Sequence, residues 1–246
     1  MEAASARRMV ELTPGAAGLE VMGGYVAFMG QGSPFTHVLG AGVNGPVTDS
    51  DLALAEAFNT ARECDTVLEL CPMADESLLR LVHARGYRVA QFENLLVANL
   101  LPPPGEPALT PVRRVREEEH AEWAQLMARA FFSREEVTAE ESAIGVPVAR
   151  LGGAYVAEAH GLPVATGAMW IHDGVAFLMC DGTLPGFRQR GLQQALIQRR
   201  LIDAVAAGAS YAMASTLVNS GSQANYGRQG FRVLYTKLTA VRPREQ

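Results

Sequence analysis

Cysteine is scarce in this chain, with Cys64, Cys71 and Cys180 the only three in 246 residues. An odd count without metal-ligand spacing argues against a disulfide framework and against a metal centre. Reduced, mostly buried thiols and no metal are therefore expected. An excess of positive charge is also missing. Lys and Arg total 21 against 26 Asp and Glu, for a formal net charge of −5 and a pI near 5.6. That balance excludes a broad basic surface for nucleic acid. No apolar run is long enough to span a bilayer, and residues 1–12 lack the apolar core of a signal peptide. No membrane association and a cytoplasmic location are expected. What the chain does have is 48% hydrophobic residues, enough for a real core, and a length that suits one large or two small domains.

One stretch, residues 177–201, organises the rest. The apolar run Val175 to Met179 fits a buried strand, Pro185 and Gly186 stop it, and Arg188 to Gly191 make a short basic turn. A helix follows from about Gly191, with Leu192, Ala195, Leu196, Ile202 and Val205 on or near one face. The first N–H groups of a helix lack partners and its dipole is positive there, so this end attracts an anion. Arg188 and Arg190 add full charge, and Gly191 lets a ligand approach the backbone. A diphosphate fits those features.

Arg188-Gln-Arg-Gly191-Leu-Gln193 resembles the RxxGxG/A loop of the GNAT superfamily of N-acetyltransferases. Gln193 stands where Gly or Ala is usual, so its side chain must point away from the ligand. A second stretch, Asn219-Ser-Gly-Ser222-Gln-Ala-Asn225-Tyr226-Gly-Arg228-Gln-Gly230-Phe231, resembles the closing N-x-x-A-x-x-x-Y-x-x-x-G-F motif, with Ser222 in place of Ala. The resemblance covers residues 111–242. It implies an α/β (α+β) fold, a mixed central β-sheet flanked by helices, and acetyl-CoA as co-substrate. It further implies that Arg188, Gln189, Arg190, Gly191, Leu192 and Gln193 bind the pyrophosphate. Asn219, Ser222 and Asn225 would contact the pantetheine arm, and the backbone of Gly182, Thr183 and Leu184 would hydrogen-bond it where the family strand splays. Val233 to Val241 would supply the final strand.

Between Leu100 and Thr110 the segment Leu-Leu-Pro-Pro-Pro-Gly-Glu-Pro-Ala-Leu favours extended polyproline conformation. It is read as a linker over 102–109, between a module at 1–101 and a catalytic domain at 110–246. Before it, Gly24 to Met29, Thr66 to Leu70 and Tyr87 to Leu100 read as strands, and Ser50 to Glu63 and Glu76 to Arg85 as helices. Gly86-Tyr-Arg-Val89 echoes Gly230-Phe-Arg-Val233 at an offset of 144 residues, and at that offset, without gaps, Thr66 to Leu70 falls on Ser210 to Ala214 and Ser50 to Glu63 on Gln194 to Ala207. The reading is an internal repeat whose first copy is a shortened GNAT-like module. This copy has Asn44 to Asp49 in place of the basic loop, and Thr48, Asp49 or Ser50 can cap its helix. A structural role is expected for it. The Gly-rich segment Met29 to Pro34 reads as a loop.

In the second half, Pro111 to Val115 reads as a strand, Glu117 to Phe132 as a helix with Trp123, Leu126, Met127 and Ala130 on its core face, and Gly153 to Ala159 and Val164 to His172 as strands about the turn His160 to Pro163. Acetyl transfer needs a neutral amine and a protonated leaving group. By the resemblance Tyr226 is the acid, since a phenol of pKa ~10 is protonated at neutral pH. Asp181 is the candidate base, with Glu158, His160 and His172 on neighbouring strand ends, and a water-mediated base is a further possibility. Glu135 and Glu136 could attract a cationic amine. A covalent route through Cys180 lacks an adjacent histidine, and direct attack in a ternary complex is simpler. The acceptor is a small-molecule or protein amine. A monomer with pseudo-dimeric packing of its modules and a homodimer both fit. The alternative functions are a non-catalytic CoA-binding regulatory module and a structural partner.

Overall fold

A computed structural model describes residues 1–101, 105 and 110–244. Apart from Gly105, the Pro-rich segment expected as a polyproline linker lies outside the described residues. The chain forms two compact units: unit 1 is Met1–Glu93 with the chain from Tyr235 onward, and unit 2 is Asn94–Leu234. This division differs from a cut at residues 102–109. Two long strands, β5 (Arg88–Asn99) and β11 (Arg232–Arg242), each contribute one part to either unit. Neither contains a glycine or proline at which a boundary could be read.

Unit 1 opens with helix α1 (Glu2–Leu12) and strands β1 (Ala17–Val21), β2 (Gly24–Phe28) and β3 (His37–Leu39). β1 and β2 form an antiparallel hairpin across Met22 and Gly23, both at positive φ, the backbone that a two-residue hairpin turn demands. Next come α2 (Asp49–Thr60), β4 (Thr66–Leu70) and α3 (Glu76–Ala84). β3 runs parallel to β4, and β11 lies antiparallel to β4 on its other side, with Leu238 opposite Leu70 and Arg242 opposite Thr66. Val26, Val38, Leu52, Leu68 and Leu78 are wholly buried between this sheet and its helices. Thr48 caps α2: its hydroxyl accepts the N–H of Asp51 at 3.2 Å, while the Asp51 carboxylate accepts the N–H of Thr48 at 3.0 Å. Thr48→Ala is therefore expected to cost about 1 kcal/mol, visible as a lower urea midpoint.

Unit 2 contains β6 (Val112–Arg114), α4 (His120–Phe132), α5 (Ala139–Ala143), α6 (Gly145–Leu151), β7 (Gly153–Ala159), β8 (Leu162–His172), β9 (Val175–Thr183), α7 (Leu192–Ala206), β10 (Tyr211–Leu217) and α8 (Gly221–Arg228). β6 to β9 form an antiparallel meander, and β10 lies parallel to β9. The parallel pairing spans only Val175 to Phe177 against Tyr211 to Met213, although both strands run further. They part at that point. The turn between β7 and β8 is tighter than expected, consisting of His160 and Gly161 at positive φ, so Leu162 and Pro163 already belong to the strand. Among the described residues no helix is long and apolar enough to cross a membrane.

Candidate active site

Where β9 leaves β10, its chain also bulges. Thr166 of β8 lies opposite Gly182 and Ala168 opposite Met179, so Gly167 alone faces both Cys180 and Asp181. Cys180 takes φ +56°, which turns Asp181 out of the regular pleat. Gly182 is required immediately after it, because a Cβ there would lie 2.8 Å from the Cβ of Ala130 on α4. The splayed strand end, the start of α7, α8 and the end of α4 enclose a cleft of about 770 Å³. Its floor is Gly191, which has φ +76° and precedes α7 with no side-chain cap on the helix. The donors at the start of α7 are thus left for a ligand. Among the described residues no group of His, Cys, Asp and Glu could hold a metal ion.

The expected cofactor-binding residues divide into two sets. Gly182, Thr183, Arg188, Gln189, Gly191, Leu192, Gln193, Ser222 and Asn225 line the cleft. Leu184, Arg190 and Asn219 do not. Leu184 is buried and its N–H is already donated to the Val164 carbonyl at 3.0 Å, so it offers pantetheine no free amide. Asn219 occupies an exposed turn at φ +58°. Arg190 stacks over Phe187 and donates to the Gly186 carbonyl at 3.1 Å. Arg188 donates to the Thr183 carbonyl at 3.1 Å and to the Ser133 hydroxyl at 2.7 Å, tying the basic loop to the ends of β9 and α4.

Gln193 explains how the loop tolerates a large side chain. Its amide donates to the Ser222 hydroxyl at 2.8 Å and accepts from Asn225 at 2.7 Å, while Arg228 donates to Asn225 at 2.7 Å. The side chain is drawn towards α8 and joins the two helices along the cleft wall.

Tyr226 and Asp181 are brought together, but not as two groups facing one ligand. Asp181 lines the cleft; Tyr226 is buried behind it, its ring edge-on to Phe231 and its hydroxyl donated to one carboxylate oxygen. Burial, and then the neighbouring Asp181 charge, push the Tyr226 phenol well above its ordinary value. The other Asp181 oxygen accepts from Arg200, a residue wholly buried in the core. Arg200 was not anticipated as a site residue, yet a signal exists: it stands at i+4 from Leu196 and i+8 from Leu192, in the middle of the apolar face.

The remaining candidates lie elsewhere. Glu158 accepts from Arg113 at 2.8 Å, His172 stacks on Trp170, and Glu135 pairs with Arg129. None of these three, nor His160 or Glu136, lines the cleft. Burial pushes the Cys180 thiol up to about 12, so it carries little thiolate.

No family model and no curated protein matches this sequence. Solved structures do. A GCN5-related N-acetyltransferase from Kribbella flavida is similar over 98% of this chain and 94% of its own, with a TM-score of 0.70 at 20% identity. Another from Sphaerobacter thermophilus is similar over 79% of this chain and 67% of its own, with a TM-score of 0.62 at 19% identity. A tandem GNAT protein from the clavulanic acid biosynthesis pathway covers 80% of this chain and 70% of itself, with a TM-score of 0.60 at 13% identity. At such identities the shared property is the fold. The chain has the GNAT fold, a mixed β-sheet flanked by helices.

Proposed function

We propose that unit 2 is an acetyl-CoA-dependent N-acetyltransferase acting on a primary amine of a small molecule or protein in a ternary complex. The observation that carries this reading is the start of α7: an uncapped helix end, led by a left-handed glycine, opening into a cleft beside the splayed end of β9. The N–H groups at the start of the helix would hold the pyrophosphate, assisted by the charge of Arg188. Gly182 and Thr183 would lie along the pantetheine, and Ser222 and Asn225, already held by Gln193, would form the opposite wall. Acetyl-CoA supplies the thioester; the amine nitrogen forms the new C–N bond as the C–S bond breaks. Asp181 is the group at the cleft wall placed to take the amine proton, and Tyr226 donates to that carboxylate from behind. The proton taken up by Asp181 then passes to the departing CoA thiolate and restores the carboxylate, so the acid role given to Tyr226 acts through Asp181.

We further propose that the first copy of the repeat is a degenerate GNAT-like module with a structural role. The order α1, β1, β2, β3, α2, β4, α3, β5 recurs, with α5 and α6 inserted after the first helix, as α4, β7, β8, β9, α7, β10, α8, β11. In the first copy Thr48 and Asp51 occupy the helix-start donors that Gly191 leaves free in the second.

Calorimetric titration with acetyl-CoA tests both proposals. One site per chain is expected, weakened at least about 100-fold in Gly191→Glu, where a carboxylate and a strained positive φ meet the anion site. Two sites would overturn the role assigned to the first copy, and no binding would overturn the acetyltransferase reading.

A further inference from the structure

Arg200 carries a charge at the centre of an apolar helix face with none of its surface exposed. Such a group is costly to bury unless its donors are used. Its Nε donates to the Leu196 carbonyl at 3.0 Å, one terminal nitrogen to the Ala168 carbonyl at 2.9 Å, and the other to the Asp181 carboxylate. The first terminal nitrogen also reaches the Met179 carbonyl, at 3.4 Å. Ala168 and Met179 are the residues paired immediately before the bulge, so the guanidinium fork braces both strands where Asp181 turns out. Gly167 makes room for it: a Cβ there would stand 2.7 Å from the guanidinium carbon.

The shared element order does not itself call for this arginine. At the repeat offset of 144 residues its counterpart in α2 is Glu56, which pairs with Arg85 and Arg242. The buried cation belongs to the unit whose cleft carries Asp181.

We propose that Arg200 is a positioning residue for acetyl transfer, holding the Asp181 carboxylate at the cleft wall between the β9 bulge and the Tyr226 hydroxyl. This rests on the acetyltransferase reading above. A double-mutant cycle on the full chain tests it, using Arg200→Lys, Tyr226→Phe and the combination, with acetyl-CoA and a panel of primary amines. Lysine keeps the charge but gathers its donors on one nitrogen, without the planar fork that spans the Leu196 and Ala168 carbonyls and the Asp181 carboxylate. Arg200→Lys should lower kcat about 100-fold, with KM for acetyl-CoA within about threefold, because the pyrophosphate loop is untouched. In the Tyr226→Phe background the same change should cost less than about threefold, since both residues act through one carboxylate. Additive losses, or a raised KM with kcat unchanged, would overturn the proposal. If the lysine variant does not fold, Gly167→Ala replaces it in the cycle, displacing the guanidinium while keeping its charge.

An arm independent of turnover uses the chain labelled with fluorotyrosine, the Tyr226 line being assigned with Tyr226→Phe. That fluorine line should shift in Arg200→Lys, and a line that stays in place would refute the positioning role. If the wild-type chain neither binds nor consumes acetyl-CoA, the acetyltransferase reading falls, and the fluorine arm decides whether Arg200 positions Asp181 and Tyr226.

Discussion

Asp181→Ala is expected to destabilise unit 2 by about 3–5 kcal/mol, the usual cost of leaving one member of a buried ion pair without its partner. The guanidinium of Arg200 would remain wholly buried with only carbonyl partners, and the Tyr226 hydroxyl would lose its acceptor. Two circumstances make the measurement clean. The chain has two tryptophans, Trp123 and Trp170, and both belong to unit 2, so urea denaturation followed by tryptophan fluorescence reports on that unit. The pair can also be removed together: Asp181→Ala with Arg200→Met should recover much of the loss, because an apolar side chain of similar volume needs no counter-charge. A loss below about 1 kcal/mol in the single variant, on the scale of an exposed ion pair, would mean that the pair is solvated and the buried triad is wrong.

Lys237→Met is the second change with a large expected effect, and it falls on unit 1. Lys237 is buried on β11, donates to Glu2 and Glu69, and lies 3.4 Å from Glu93. Burial alone would raise the Glu69 carboxyl, but the His37 hydrogen bond and the Lys237 charge outweigh it and hold the group at about 2. A depressed carboxyl contributes stability that is complete above its unfolded value of about 4.5 and is lost as pH falls towards 2. Without Lys237 the burial effect gains weight and Glu69 rises. The variant should therefore lose about 3–5 kcal/mol at pH 7, and the deficit should narrow as the medium is acidified to about pH 4, where Glu69 can be protonated. Urea denaturation followed by far-ultraviolet circular dichroism at the two pH values checks this. A deficit equal at both would show that Lys237 contributes packing and not charge.

Local pattern carried much of this fold. Thr66 to Leu70 and Gly153 to Ala159 are strands with the limits that alternation predicts, and α2, α3 and α7 begin within one residue of their predicted starts. The elements missed are those with little local signal. β3 has three residues, α5 has five, and α1 buries only Ser5, Ala6 and Met9, small or flexible residues that make a faint apolar stripe. Most of the cleft was legible because backbone geometry defines it, through Gly182, Gly191 and the turn chemistry between them. The relation of Tyr226 to Asp181 was not, since they are 45 residues apart and Arg200 meets them only after three elements have packed. Nor could alternation indicate that β11 serves two units. A strand's period fixes which face is apolar and leaves its partner strand to tertiary packing.

That divided strand has a consequence for synthesis. Most of unit 1 leaves the ribosome before unit 2, but β4 receives its β11 neighbour only after all of unit 2 has been made. Until then the backbone edge of β4 is open, with a buried face that includes Leu68 and Leu70 beside it. The nascent chain must carry an unpaired sheet edge through roughly the length of a domain, a state that invites pairing with other chains. The unit translated earlier is thus finished later than unit 2, and the two parts expressed separately would not be two complete modules.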